Sequence, residues 1–440
     1  MARRWERTWL LTLACAFCVL ATGCFVRWRQ PPSPVKAGFN PVEVLDPAAE
    51  ATGGQTWEMR DLYALAERVR AEKKPAVLPP KRNVLVLSGG GSYGAYSAGV
   101  LVGWTHSGTR PEFDVVTGIS TGALIAPLAF LGQGYDCEIE NLYTTLRTKD
   151  IFRLKKTVRS IFSEGLADTS PLAKQIEKIV TPNLLRDVAG EHAKGRRLYV
   201  GTTELESRRP VVWDMGQIAA RGTLDDLALF RKILLASASI PGVFPPTIIP
   251  VTIDGKPFTE RHVDGGVTQA LFFRPPVIKP EDQGDANRAS LYGSDVYIIV
   301  AGKLYADASL TPLRVLNITA GSVSTLIYSQ TRGDLLRLYT ATILTGMNYR
   351  VAAIHPDYVT TASAYDFDPV EMTKLFREGY RQATSETPWR VTPPGIEKSE
   401  GAFLRVGPTL QRYDLNKPKP PGPPSRFREM MNHLHSNGGA

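Results

Sequence analysis

The stretch Val84-Leu85-Val86-Leu87-Ser88-Gly89-Gly90-Gly91-Ser92-Tyr93-Gly94-Ala95 is answered further along by Val115-Val116-Thr117-Gly118-Ile119-Ser120-Thr121-Gly122. In each, a short apolar run breaks into glycine and gives way to a helical pattern, the punctuation of a buried parallel strand feeding a helix. The second run carries G-x-S-x-G, whose glycines permit the sharp strand-to-helix turn that pushes a serine hydroxyl out of the fold. A serine is a poor nucleophile until a base takes its proton, and attack on an ester carbonyl creates an oxyanion that needs donors already in place. Ser120 answers the first need. The N–H groups of Gly90 and Gly91, with the dipole of the helix that follows, are the candidate donors for the second. Together the two loops point to acyl transfer.

A glycine-rich turn after a first strand also cradles phosphates. Here Ser88 to Gly94 holds no G-x-G-x-x-G followed about 20 residues later by a ribose-binding acid, nor the Lys-Ser/Thr of a P-loop, which counts against a nucleotide. Both loops fall at the carboxyl ends of neighbouring strands, where open α/β sheets bind ligands. The base comes from elsewhere. Arg261-His262-Val263-Asp264-Gly265-Gly266 ends a strand pattern in an acid followed by two glycines, so its carboxylate can point into the same crevice. His262 shares a strand face with Asp264, and His355 would fit the chain order of ordinary α/β-hydrolase triads. Against these stand a packed histidine at a strand end and a loop histidine before Pro356.

A glycine-rich loop, G-x-S-x-G and D-G-G in that order resemble the patatin-like phospholipases. The block Ala236-Ser237-Ala238-Ser239-Ile240-Pro241-Gly242-Val243-Phe244-Pro245-Pro246 between the last two is similar to a further block of that family. The resemblance covers residues 83–300 and reaches more loosely to the helical pattern near Tyr380. It implies a three-layer α/β/α fold with a mostly parallel central sheet, no cofactor and no metal, and a Ser-Asp dyad in place of a Ser-His-Asp triad. Carried onto this chain, Ser120 is the nucleophile and Asp264 the base. Gly89, Gly90, Gly91 and Gly94 form the oxyanion loop, Gly118 and Gly122 flank the elbow, and Gly265 and Gly266 belong to the dyad loop. An aspartate with an unperturbed pKa of about 3.9 is a weak base, so such a dyad requires burial and orientation. The family loop usually starts with Asp and has Arg or Lys before its last glycine, whereas this chain has Ser88 and Tyr93. That departure puts strict phospholipid preference in doubt and keeps a general esterase or thioesterase in play.

The chain has 440 residues, an apolar fraction of 43% and a formal charge of +9, enough for a large core and mildly suited to an anionic surface. Arg3, Arg4 and Arg7 precede the apolar run Trp9 to Ala21 and then Thr22-Gly23-Cys24, which reads as a signal of residues 1–23 with small residues before a lipid-accepting Cys24. The run is shorter than the about 20 residues a spanning helix needs. Residues 24–80 then read as a tether, 81–415 as an acyl-hydrolase domain with a helical C-terminal extension, and the Pro-rich 416–440 as a disordered tail. With Cys15 and Cys18 in the leader and Cys24 lipidated, Cys137 is the remaining thiol, and no Cys/His metal cluster appears. Strand-like runs at Val84–Leu87, Phe113–Thr117, Leu198–Thr202 and Val296–Val300 alternate with helical stretches. A helical segment Leu313–Leu344 breaks at Gly346 before a returning strand Asn348–Ile354, and Asp368-Pro369 opens a last helix. Asp150 to Phe162 carries Ile151, Leu154, Val158 and Ile161 on one helical face with Arg153, Lys156 and Arg159 elsewhere, so it reads either as a basic amphipathic helix for a bilayer or as one packed on the domain.

The expectation is an exported, lipid-anchored enzyme of a bacterial cell envelope. Ser120 attacks a lipid ester, Asp264 receives its proton, and an acyl-enzyme is then hydrolysed. Its partners are membrane lipid and the membrane surface, not nucleic acid. The rival of another class is a non-catalytic lipid-binding lipoprotein, against which the complete Ser120 and Asp264 pair counts.

Overall fold

Strands β1 (Asn83–Leu87) and β2 (Val115–Ile119) are apolar and almost wholly buried, and they pair in parallel from Val84↔Val115 to Leu87↔Gly118. They lie at the centre of an eight-stranded sheet in a computed structural model that describes residues 68–72, 74–155, 165–273, 291–305, 315–359 and 364–394. The leader, Cys24, most of the tether and the tail lie outside the described residues.

Helix α1 (Gly94–His106) links β1 to β2. After β2 come α2 (Thr121–Leu131), α3 (Asp136–Thr145), the single turn α4 (Thr148–Ile151), a small ribbon of β3 (Arg153–Leu154) with β4 (Ala167–Asp168), α5 (Ser170–Ile179) and α6 (Pro182–Ala193). The chain re-enters the sheet as β5 (Arg197–Glu204), which pairs in parallel with β2. The hairpin partner β6 (Arg209–Asp214), helices α7 (Met215–Arg221) and α8 (Leu224–Ser237), and the antiparallel pair β7 (Thr247–Ile253) and β8 (Lys256–Asp264) follow. Strand β9 (Asp295–Lys303) lies in parallel beside β1, and helix α9 (Val315–Thr345) leads to β10 (Asn348–Ile354) at the sheet edge before the last helix α10 (Pro369–Ala383). The order is β10-β9-β1-β2-β5-β8-β7, with β6 on β5. The path β1 to β2 to β5 steps one way across the sheet and β9 to β10 the other, so right-handed crossovers place their helices on opposite faces. A mostly parallel sheet covered by helices is thus the architecture.

The final elements follow their local signals. Gly346 adopts φ 73° and ends α9, and Asp368 caps α10 by accepting from the Val370 N–H at 3.1 Å. Two expectations shift. Strand β2 runs two residues past the expected Phe113–Thr117, because the Asp114 carboxylate accepts the Asn83 N–H at 2.8 Å and Phe113 turns into an aromatic cluster with Trp104 and Tyr297. The amphipathic helix expected from Asp150 stops at once: Phe152 is extended, at φ −153°, and Arg153–Leu154 pairs with Ala167–Asp168. Phe152 packs on Phe244 with ring centroids 5.3 Å apart, so side-chain burial overrides the helical periodicity. Residues 156–164 of that segment lie outside the described residues.

Helix α1 is buried from Gly94 to Trp104 and has no solvent face to favour. It crosses α10 at backbone contact. A Cβ on Gly99 would sit 1.9 Å from the Phe376 carbonyl oxygen, one on Gly103 2.7 Å from that of Tyr380, and one on Gly379 2.2 Å from that of Tyr96. The helix that leaves the glycine loop is therefore clamped without a side chain between it and its neighbour. Gly99→Ala should force the helices apart and lower stability by about 2–3 kcal/mol, read from the urea midpoint at unchanged slope.

Candidate active site

Ser120 occupies the single residue between β2 and α2. Its φ of 54° and ψ of −124° lie where a side chain is strained by about 1–3 kcal/mol. The turn is tight because both glycines of the motif are crowded. A Cβ on Gly122 would lie 2.5 Å from the Leu87 carbonyl oxygen, and one on Gly118 2.4 Å from that of Gly122. So α2 starts hard against the end of β1, with its positive dipole end at Ser120.

The position of Asp264 follows from strand register. On β5, β2 pairs with Arg197 to Gly201 and β6 with Tyr199 to Glu204, so these two strands hold opposite edges. Strand β8 pairs with Thr202 to Glu204, where β6 is already present, and so takes the β2 edge just past the point where β2 stops. Ile119 lies opposite Gly201 and Asp264 opposite Thr202. The two strands meet end to end, and the sheet itself brings Ser120 and Asp264 together. Both are buried, with 7% and 5% of their surface exposed.

Burial pushes the Asp264 carboxyl up to about 6, against the neighbouring Ser120 side chain and the Gly266 N–H, which stabilise the charge. The Gly266 bond is 2.7 Å long. Gly265 is pressed on β5, where a Cβ would lie 2.6 Å from the Gly201 carbonyl oxygen. A carboxylate raised to this level is a better general base near neutral pH than a free one.

The glycine loop closes the other side. Ser88 is buried; its N–H donates to the Ile299 carbonyl at 3.1 Å, and its hydroxyl accepts from the Ala301 N–H and donates to the Gly89 carbonyl, both at 2.8 Å. The serine that stands where the family loop has Asp thus fastens the loop to β9. Gly91 has φ 58°, and its Cβ would strike the Ala364 carbonyl oxygen at 2.0 Å. Among the described residues the N–H groups of Gly90 and Gly91 have no acceptor, and Gly89 lies against Ser120, a Cβ there falling 3.0 Å from the Ser120 Cβ. Gly94 serves another end: its N–H is spent on Gly91 and Ser92 carbonyls, and its missing side chain makes room for Thr121 and Tyr143.

Neither histidine meets Ser120. His262 is fully buried with Nδ1 3.0 Å from Thr202 Oγ1 and Nε2 3.0 Å from Glu260 Oε2, and its ring is edge-on to Trp213. The carboxylate requires Nε2 to donate, so Nδ1 accepts from Thr202, and both nitrogens are engaged. His355 is exposed after β10, at the sheet edge, with Nδ1 3.6 Å from Asp357 Oδ2.

Ser120 heads an apolar cavity that encloses about 910 Å³, its open mouth included. Thr121, Leu124, Pro127 and Leu128 line it from one face of α2, Leu142, Tyr143 and Leu146 from α3, and Leu172, Gln175, Ile176 and Ile179 from α5. Spacings of three and four residues put each set on a single helix face. Phe152, Phe244, Tyr365 and Phe367 complete the wall. Burial, and then the charge of Asp264, raise the Tyr365 phenol above its ordinary range, so it stays protonated beside the carboxylate. The sequence reading missed this cavity because its walls come from segments far apart in the chain, although each helix shows its apolar stripe. Among the described residues no cluster of His, Cys, Asp or Glu could hold a metal, and no helix is long and apolar enough to cross a membrane. Cys137 is free and exposed.

Two measurements follow from the geometry. Because the folded pKa of Asp264 lies above its ordinary value, the folded protein holds a proton between about pH 4 and 6 that the unfolded chain has released, and stability falls across that window. Asp264→Asn should therefore raise unfolding free energy at pH 8 by up to about 3 kcal/mol, a gain that vanishes below pH 4. Ser120→Gly should be more stable than Ser120→Ala by about 1 kcal/mol in denaturant titration, since only glycine relaxes at that φ.

Residues 85–277 match the family model described as patatin-like phospholipase. Among solved structures, the crystal structure of VipD from Legionella pneumophila is similar at 14% identity and a TM-score of 0.34, over 69% of this chain and 66% of that one. No curated protein matches the chain. The family match runs from β1 through the elbow to beyond the Asp264 turn, so the part of the chain that carries Ser120 and Asp264 is the part that resembles the patatin-like phospholipases.

Proposed function

We propose that this protein is a lipid acyl hydrolase that works through a Ser120-Asp264 dyad and an acyl-enzyme. The observation that carries this reading is the apolar cavity with a strained, buried serine at its head and a buried carboxylate brought to that serine by strand register. An acyl chain fills the cavity and leaves its carbonyl at Ser120. The Ser120 oxygen attacks the carbonyl carbon while its proton passes to Asp264, and the N–H groups of Gly90 and Gly91 receive the oxyanion. Collapse expels the alcohol, which takes the proton back from Asp264. Water then gives its proton to Asp264 and attacks the acyl-enzyme, and the fatty acid leaves as the proton returns to Ser120.

Ser120 must lose its proton to an ionised Asp264, so kcat should rise with pH through about 6 and then level off. Tyr93, in the place of a family cation, favours a second reading in which the leaving group is uncharged, a general esterase or thioesterase. The leader pattern and Cys24 support delivery of the enzyme to a bacterial membrane surface as a lipoprotein.

The test combines a fluorophosphonate probe with a series of acyl esters. Wild type should be labelled and Ser120→Ala should not. Each methylene buried in the cavity is worth about 0.8 kcal/mol, so kcat/KM should rise about fourfold per added carbon until the cavity is full. Absence of labelling in folded protein removes the hydrolase, and an acyl series without chain-length dependence removes the lipid.

A further inference from the structure

Parallel pairing of Ile119 with Gly201 would direct the next N–H of β2, that of Ser120, to the carbonyl of Gly201. At hydrogen-bond distance the Ser120 N–H meets a side chain instead. The hydroxyl of Ser237 stands between the two, accepting from the Ser120 N–H at 3.0 Å and donating to the Gly201 carbonyl at 2.7 Å. Ser237 is the last residue of α8 and is fully buried. Two residues on, the Ser239 carbonyl accepts the Asp264 N–H at 2.8 Å. One end of one helix therefore touches the backbone of both members of the dyad.

We infer that Ser237 is a positioning residue for the reaction. It bridges the end of the β2-β5 ladder with one hydroxyl at the point where the chain must turn. The bridge holds the Ser120 backbone at its strained φ and directs its hydroxyl to Asp264. It also occupies the Ser120 N–H, which leaves the oxyanion to the Gly90 and Gly91 donors. Without the hydroxyl, the Ser120 N–H can close directly on Gly201 and draw the nucleophile back into the strand.

The inference rests on the dyad reading, and the test separates the two. In the full chain, kcat, KM and the rate of fluorophosphonate labelling are measured for wild type, Ser120→Ala, Ser237→Ala, Ser237→Cys and Ser237→Thr, with folding followed by circular dichroism. Ser237→Ala should lower kcat and labelling rate together by about 10- to 100-fold with KM changed less than twofold, as a displaced nucleophile does. Ser237→Thr, which keeps the hydroxyl, should recover most of the loss. If Ser237→Ala does not fold, Ser237→Cys, which keeps volume but bonds weakly, carries the same expectation. Wild-type kcat and labelling in whichever of these two variants folds would overturn the positioning role. Failure of wild type to label at all would instead overturn the dyad reading.

Discussion

The meeting of two strand ends on one edge of β5 organises the site. Strand β2 ends opposite Gly201, where the Ser120 N–H donates to the Ser237 hydroxyl and the following residues turn away into α2. The vacated edge of β5 is taken by β8 arriving from the opposite direction, and its last residue is Asp264. Ser120 and Asp264 therefore meet because two strands share one edge of a third. A similar device recurs one strand away, where the Ser88 hydroxyl takes the Ala301 N–H and seats the glycine loop. In both places a serine hydroxyl takes up a backbone N–H where a strand ends, so that no buried polar group is abandoned, which would cost about 1–3 kcal/mol.

The site stores free energy that the rest of the fold supplies. Ser120 holds an unfavourable backbone conformation, and Asp264 holds its charge against burial, each opposing stability at neutral pH. What holds them is rigid: β1 and β2 with no exposed residue between them, and α1 pressed on α10 through glycine. Relaxation at the elbow would require the central strands to move, and close-packed interiors resist such movement.

The departures from the family loop acquire physical content in three dimensions. The Ser88 hydroxyl fastens the loop to β9, and Tyr93 packs against the hydrophobic core, so both residues help to build the loop.

Much of this was legible in the residues. The strand-glycine-helix units, the helix break at Gly346 and the Asp368 cap are local signals, and local geometry answers them. Ser120 and Asp264 were legible as candidates because their chemistry and flanking glycines are written in short motifs. The amphipathic periodicity after Asp150 was legible but does not hold at Phe152–Leu154, where the chain is extended and Phe152 packs on Phe244. His262 could be named but not judged: only the fold shows Thr202 and Glu260 on its two nitrogens. By itself the sequence determined which residues can react and where the chain must turn, because turning and reactivity depend on a few adjacent atoms. The tertiary structure alone decided which carboxylate meets which serine, how an acyl-sized cavity assembles from separated helices, and that Ser237 stands at the end of the ladder, because each of these depends on register between strands and helices far apart in the chain.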